Sequence, residues 1–154
     1  MNYRVGIVGN GSDKFTALTE AKAKILISHL LGNSLPKLYG KNIILVSGHS
    51  PVGGIDIWAE EYADSVGIQK DIKIPQTNSW SGTYGYRARN LDIAKDSDKV
   101  HVIVVSEYPP SYTGRRFKKC YHCGTSDHVK SGACWTAIQA RKLGKQVQWH
   151  IITV

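Results

Sequence analysis

Val5–Phe15 reads VGIVGNGSDKF, and Ile44–Glu61 reads ILVSGHSPVGGIDIWAEE. Each passes from an apolar run through glycines into a segment with helical character, which predicts a strand, a glycine loop and a helix in succession. At such a junction the first N–H groups of the helix are unpaired and the positive end of its dipole points the same way, so an anion is favoured there. The two loops together predict a phosphate-bearing ligand.

The flanking sequence supplies matching elements. Arg4–Val8 predicts the first strand, and residues 16–31 a helix with Leu18, Ala21, Ile25 and Leu30 among its apolar positions. Residues 32–41, with Pro36 and Gly40, predict a turn. Ile43–Ser47 predicts a second strand, Ile55–Ser65 a second helix ending at Gly67, and Ile68–Ile74 a third strand stopped by Pro75. Tyr86–Lys95 predicts a third helix, Val100–Ser106 the most apolar strand, Trp135–Leu143 a fourth helix ending at Gly144, and Val147–Thr153 a fifth strand. Strands that are apolar throughout and separated by helices imply a parallel sheet covered on both faces. The fold class expected is therefore α/β, a Rossmann-like doubly wound sheet of about five parallel strands. In such sheets ligands sit at the carboxyl ends of the strands where the strand order reverses.

Composition narrows the function. A chain of 154 residues that is 42% hydrophobic can bury one substantial core, so residues 1–154 are expected to form a single domain. There is no apolar run of about 18 residues, and MNYRVGIVGN lacks an apolar signal segment, so the expectation is a cytoplasmic protein with no membrane partner. The net charge of +8 favours polyanionic partners. Arg115, Arg116, Lys118, Lys119 and Lys130 fall in the second half, whereas residues 47–67 are net acidic.

One stretch breaks the α/β rhythm. Residues 107–134 carry no periodic pattern and read as an insertion rich in cysteine, histidine and basic residues. Within it, CYHCGTSDHVKSGAC places Cys120, Cys123, His128 and Cys134 at spacings that one tetrahedral zinc ion can gather. The run resembles the zinc knuckle of nucleocapsid-type proteins, CX2CX4HX4C, with one extra residue before the last cysteine. Four protein ligands leave no open position for water, so the zinc expected is structural and would fold a loop that lacks its own core. His122 is an alternative to His128 as ligand, and three unrelated thiols are the alternative to a metal site.

The ligand edge can be assembled from residues with physical roles. Gly9 and Gly11 allow the backbone to approach a phosphate, Ser12 offers a hydroxyl and Lys14 a charge. Ser47, Gly48, Gly53 and Gly54 form the second loop, and Ser131 and Gly132 before the fourth helix form the opposite wall. Arg87, Arg89 and Asn90 at the third helix start can reach phosphate oxygens. Asp56 suits either a helix cap or a ribose hydroxyl, capping being the commoner role. Trp80, Tyr84 and Tyr86 lie in a glycine-rich loop beside Arg87, where they can stack a base or form a structural lid. Trp58, Trp135 and Trp149 fall in regular elements and read as packing residues, while His49 lies in the second glycine loop.

These segments, taken in order, resemble a known family. IVGNGS, VSGHSPVGGID, RARNLDIA, VHVIVVSE and SGACWTAIQARKLGKQV are similar to the Rossmann-like core of the DNA-processing protein A (DprA/Smf) family, within the wider SLOG superfamily. That superfamily also includes the LOG cytokinin-activating phosphoribohydrolases and molybdenum-cofactor carrier-like proteins. The resemblance implies a nucleotide- or nucleic-acid-binding protein, with a nucleotide or single-stranded nucleic acid held at the glycine loops and a homodimer as the assembly. The chain departs from the pattern in Asp13, where an arginine is usual and Lys14 follows one step on, in a longer second loop, and in the cysteine insertion. The LOG resemblance implies the enzymatic alternative, hydrolysis of an N-glycosidic bond. It needs a glutamate on the fourth helix, where this chain has Gln139. Glu107 is then the remaining carboxylate near the ligand edge, or simply a solvated strand end.

Overall fold

The computed structural model describes residues 2–34 and 42–154. The elements in chain order are β1 (Tyr3–Gly9), α1 (Ala17–His29), β2 (Ile43–Ser47), α2 (Ile55–Val66), β3 (Gln69–Ile72), α3 (Tyr86–Asp96), β4 (Lys99–Val105), α4 (Gly132–Lys142) and β5 (Gln146–Ile152). The five strands form one parallel sheet in the order β3-β2-β1-β4-β5, the Rossmann-like α/β architecture expected.

Strand composition explains the order. All five residues of β2 are buried, as are six of seven in β4, because these strands are covered on both faces. β5 alternates between exposed and half-buried positions, as suits an edge. One core cluster joins Val5, Ile7, Ile27, Leu45, Ile55 and Ile103 beneath α1 and α2. The second joins Val8, Val46, Ile93, Val102, Val104 and Ala137 beneath α3 and α4 on the opposite face. Among the described residues no helix is long and apolar enough to cross a membrane.

Local signals set the ends of the helices. Thr16 caps α1 through a box in which the Thr19 N–H donates to Thr16 Oγ1 at 3.1 Å and the Thr16 N–H donates to Thr19 Oγ1 at 2.8 Å. Ser131 caps α4 by accepting the Ala133 N–H at 3.1 Å, which starts that helix three residues before the expected Trp135. Gly67 ends α2 in the left-handed conformation, φ 77°.

Two expectations are corrected here. In α1 the buried residues are Thr19, Ala23 and Ile27, while Leu18 and Ile25 are 54% and 59% exposed. Apolar residues surround α1, so its pattern selects no single face. The third strand is shorter than Ile68–Ile74 because only Gln69–Ile72 pair with β2. Of the predicted turn at 32–41, the start lies in a π-helical turn, Leu30–Ser34, and residues 35–41 lie outside the described residues.

The topology places a crevice. From β1 the chain winds outward through β2 and β3, then crosses back to β4 and β5, so the strand order reverses between β1 and β4. Gly9 ends β1 at that point, and a Cβ there would stand 2.0 Å from the Ile103 carbonyl oxygen of β4. Only glycine allows the two strands to remain paired to their ends. Residues 106–131, between β4 and α4, contain neither helix nor strand.

Candidate functional site

Two cavities open beside each other at the β1/β4 crevice, and Gly9 and Gly132 line both. The first, about 190 Å³, lies between α2, α3 and α4 and is lined by Asp56, Trp80, Tyr86, Arg89 and Asn90. The second, about 200 Å³, is lined by Gly11, Lys14, Tyr112, Arg115, Lys130 and Ser131. Between the loops stands Asn10, 4% exposed, which neither glycine motif singles out. Its Oδ1 accepts the Val105 N–H at 3.0 Å, and its Nδ2 donates to the Lys130 carbonyl at 3.3 Å. The end of β4 and the segment leading into α4 are thus held to the β1 loop by one side chain.

The first cavity is backed by buried charge. Arg89, 9% exposed, donates from Nη1 to the carbonyls of Gly48 and Lys73 and from Nε to Asn90 Oδ1. Asp56 accepts the Ser50 N–H at 3.2 Å. Burial pushes its pKa up to about 6, against the opposing pull of Arg89. Asp56 therefore does not cap α2: its carboxylate faces the second glycine loop, and the cap residue Gly54 has no side-chain partner. Glu60 is buried one turn on, accepting the Ser47 hydroxyl at 2.6 Å and pairing with His49 Nδ1 at 2.6 Å. His49 holds φ 50°, an unusual conformation for a residue with a Cβ.

The candidate phosphate-binding residues divide into groups. Gly9, Gly11, Lys14, Ser131 and Gly132 line the cationic cavity, and Arg89 and Asn90 line the other. The remaining residues take other roles. The Ser12 hydroxyl donates to the Val52 carbonyl at 2.5 Å, joining the two loops. Ser47 is fully buried on Glu60 and out of reach of a ligand. Gly48, Gly53 and Gly54 shape the second loop, and a Cβ on Gly54 would stand 2.4 Å from the Asn10 carbonyl oxygen. Arg87 lines neither cavity, and its guanidinium stands 5.6 Å from the Trp135 ring centroid.

The aromatic expectations divide as well. Trp80 and Tyr86 line the first cavity, whereas Tyr84 is 58% exposed. Trp80 is braced edge-on by Trp135, with centroids 5.6 Å apart. Glu107 is exposed at the end of β4. Tyr108, Tyr112, Arg115, Phe117 and Lys130, all lining the cationic cavity, were not singled out as ligand-edge residues by the motifs. The available signal was the density of aromatic and cationic residues in YPPSYTGRRF, Tyr108–Phe117.

Beyond that cavity, the insertion gathers its thiols. Cys120, Cys123, His128 and Cys134 bring one ligand atom each to within 4.8 Å of one another, so the group is able to hold a metal ion. A tetrahedral ion with metal–sulfur bonds of about 2.3 Å separates its thiolates by roughly 3.8 Å, so small side-chain movements would close the cluster. His128 Nε2 faces Cys123 Sγ at 3.5 Å and Cys134 Sγ at 3.2 Å. Its Nδ1 faces Asp127 Oδ1 at 2.8 Å, the carboxylate–histidine arrangement that orients a metal-ligating imidazole. The contact with Cys134 draws the Cys120 thiol far below its ordinary pKa, and the same contact raises that of Cys134. His122 is not part of the cluster: its ring packs on Tyr121 and Trp80, with centroids 4.5 Å and 5.7 Å away.

No family model matches the chain, and no curated protein matches its sequence. Among solved structures it is similar to the molybdenum cofactor carrier protein MCP from Chlamydomonas reinhardtii. The TM-score is 0.60 at 15% identity, over 100% of this chain and 79% of that one. This likeness is one of fold.

Proposed function

We propose that the chain binds a small phosphate-bearing ligand of nucleotide type across Gly9 and Gly132. The observation that carries this reading is the pairing, at those two glycines, of a cavity that Lys14, Arg115 and Lys130 line with one that Trp80, Tyr86 and Asp56 line. A phosphate fits beside Gly11 and Gly132 at the N-terminus of α4, in the cavity that Lys14, Arg115 and Lys130 line. A planar ring fits against Trp80 and Tyr86, and Asp56 is positioned to accept a sugar hydroxyl. The similarity in fold to a protein described as a cofactor carrier, and the SLOG-like motifs, support holding a small molecule. The ion proposed for the cysteine cluster is zinc in a structural role, since thiolates and one imidazole suit it and fill its coordination. The whole chain is proposed as one SLOG-type domain carrying the insertion.

A second reading is favoured by one observation. Arg115, Arg116, Lys118 and Lys119 are exposed with Tyr121 along the insertion, a basic and aromatic surface of the kind that tracks single-stranded nucleic acid. Titration of the metal-loaded protein with AMP, followed by tryptophan fluorescence, separates the two when set beside binding of a labelled single strand across a salt series. Saturable AMP binding that displaces no strand supports the small-ligand reading. Strand binding that falls steeply with salt, without AMP binding, replaces it with the second.

A further inference from the structure

The cationic cavity takes its charge from two sources. Lys14 comes from the β1 loop and is paired with Asp13 at 3.0 Å, so part of its charge is already answered. Arg115 and Lys130 come from the insertion, and among the described residues neither forms an ion pair. Two unanswered cations facing one cavity repel each other, and an anion between them relieves that repulsion.

Lys130 lies inside the metal cluster's span, and Arg115 shares the Phe117 ring with it. Lys130 lies two residues after His128, and Cys134 lies two residues after Gly132, so two metal ligands bracket the segment that walls the cavity. Cys120 Sγ approaches the Ser131 carbonyl at 3.9 Å. The Lys130 ammonium stands over the rings of Phe117 and Tyr121, 5.0 Å and 5.1 Å from their centroids, and the Arg115 guanidinium stands over Phe117 at 4.7 Å. Tyr121 adjoins Cys120 in sequence. This part of the chain has no helix or strand to hold it, and besides Pro109 its buried residues are Cys120, His128, Val129 and Ser131, two of them members of the cluster.

We infer that a metal ion on Cys120, Cys123, His128 and Cys134 orders Arg115 and Lys130 into an anion subsite, so that a phosphate-bearing ligand binds the metal-loaded chain and is released from the metal-free one. The inference rests on the small-ligand reading of the crevice and adds the condition under which that crevice is complete. Without the ion the loop samples many arrangements, and the ligand must then supply the cost of ordering it. With the ion that cost is already met by metal binding.

The test measures AMP and inorganic pyrophosphate affinity on zinc-loaded protein freed of excess metal, on chelator-stripped protein, and on stripped protein reloaded with zinc. Hydrogen exchange is followed in the same three samples. Stripping should weaken both probes by about tenfold or more, reloading should restore them, and residues 129–133 should lose protection while β4 keeps it. In the loaded protein, Arg115→Ala and Lys130→Ala should each weaken pyrophosphate binding by about three- to tenfold. Unchanged affinity after stripping overturns the inference and leaves the crevice reading intact. Absence of AMP and pyrophosphate binding to loaded protein overturns the crevice reading and the inference with it. Loss of β4 protection on stripping also overturns the inference, because the metal would then hold the whole fold.

Discussion

Asn10 and Lys130 are joined by a hydrogen bond of 3.3 Å from the Asn10 amide to the Lys130 carbonyl, linking the loop after β1 to the insertion wall. The same side chain accepts the buried Val105 N–H, so it serves the sheet and the loop together. Asn10→Ala leaves that N–H without a partner and should cost about 1–3 kcal/mol. Urea unfolding checks the loss. Asn10→Asp keeps the acceptor but removes the donor to the Lys130 carbonyl and buries a carboxylate, so it should lower stability at least as much as Asn10→Ala and weaken pyrophosphate binding as well.

Gly9→Ala should be more damaging than its size suggests. The added methyl would meet the Ile103 carbonyl oxygen at 2.0 Å and the Ile55 side chain at 2.6 Å, so β1 and β4 must separate where the cavities meet. Overpacking of this kind costs about 1–3 kcal/mol, and in a chain of this length each kcal/mol lowers the melting midpoint by about 2–4 °C. Calorimetry should record that fall, together with weakened AMP binding.

The metal ligands can be told apart from their neighbours. Cys123→Ser and His128→Ala should each abolish stoichiometric zinc as read by elemental analysis, and should remove the tetrahedral thiolate spectrum from cobalt-substituted protein. His122→Ala should retain both signals, because its ring lies against Tyr121 and Trp80. Full metal content in Cys123→Ser would remove the cluster from consideration.

Asp56 sets a pH dependence of definite sign. Its folded pKa, about 6, lies above its ordinary value of 3.8 because of burial, so the folded state holds its proton more tightly than the unfolded chain. The stability this contributes is fully present below about pH 4 and lost as pH rises through 6, a gap on the order of 3 kcal/mol. Asp71 and Asp127 have lowered values and contribute the opposite slope. The difference between wild type and Asp56→Asn isolates the Asp56 contribution. Urea midpoints from pH 4 to pH 7 should fall more, or rise less, in wild type than in the variant.

Much of this architecture is legible in the sequence, for physical reasons that can be named. A strand covered on both faces is apolar at most positions, and Ile43–Ser47 and Val100–Ser106 stand out on that account. The cysteine and histidine spacing also reads directly, because a metal site needs few residues of restricted type. The buried face of α1 does not, since apolar side chains surround the helix and only the sheet chooses between them. Arg89 and Ser47 have the chemistry of ligand contacts, yet the carbonyls of Gly48 and Lys73 and the Glu60 carboxylate engage them first. Arg115 and Lys130 were visible as charges but not as neighbours of Lys14, because an aperiodic loop gives no register from which to place them.

The central position of β1 also governs how the chain can be made and cut. Its register runs on one side with β2, close in sequence, and on the other with Lys99–Ile103 of β4. During synthesis β1 and β2 can pair early, but the second edge of β1 stays open until β4 has left the ribosome. An unpaired apolar edge of that kind is a template for association between chains. A fragment ending before Lys99 should aggregate, whereas one extending through β5 closes the sheet around β1.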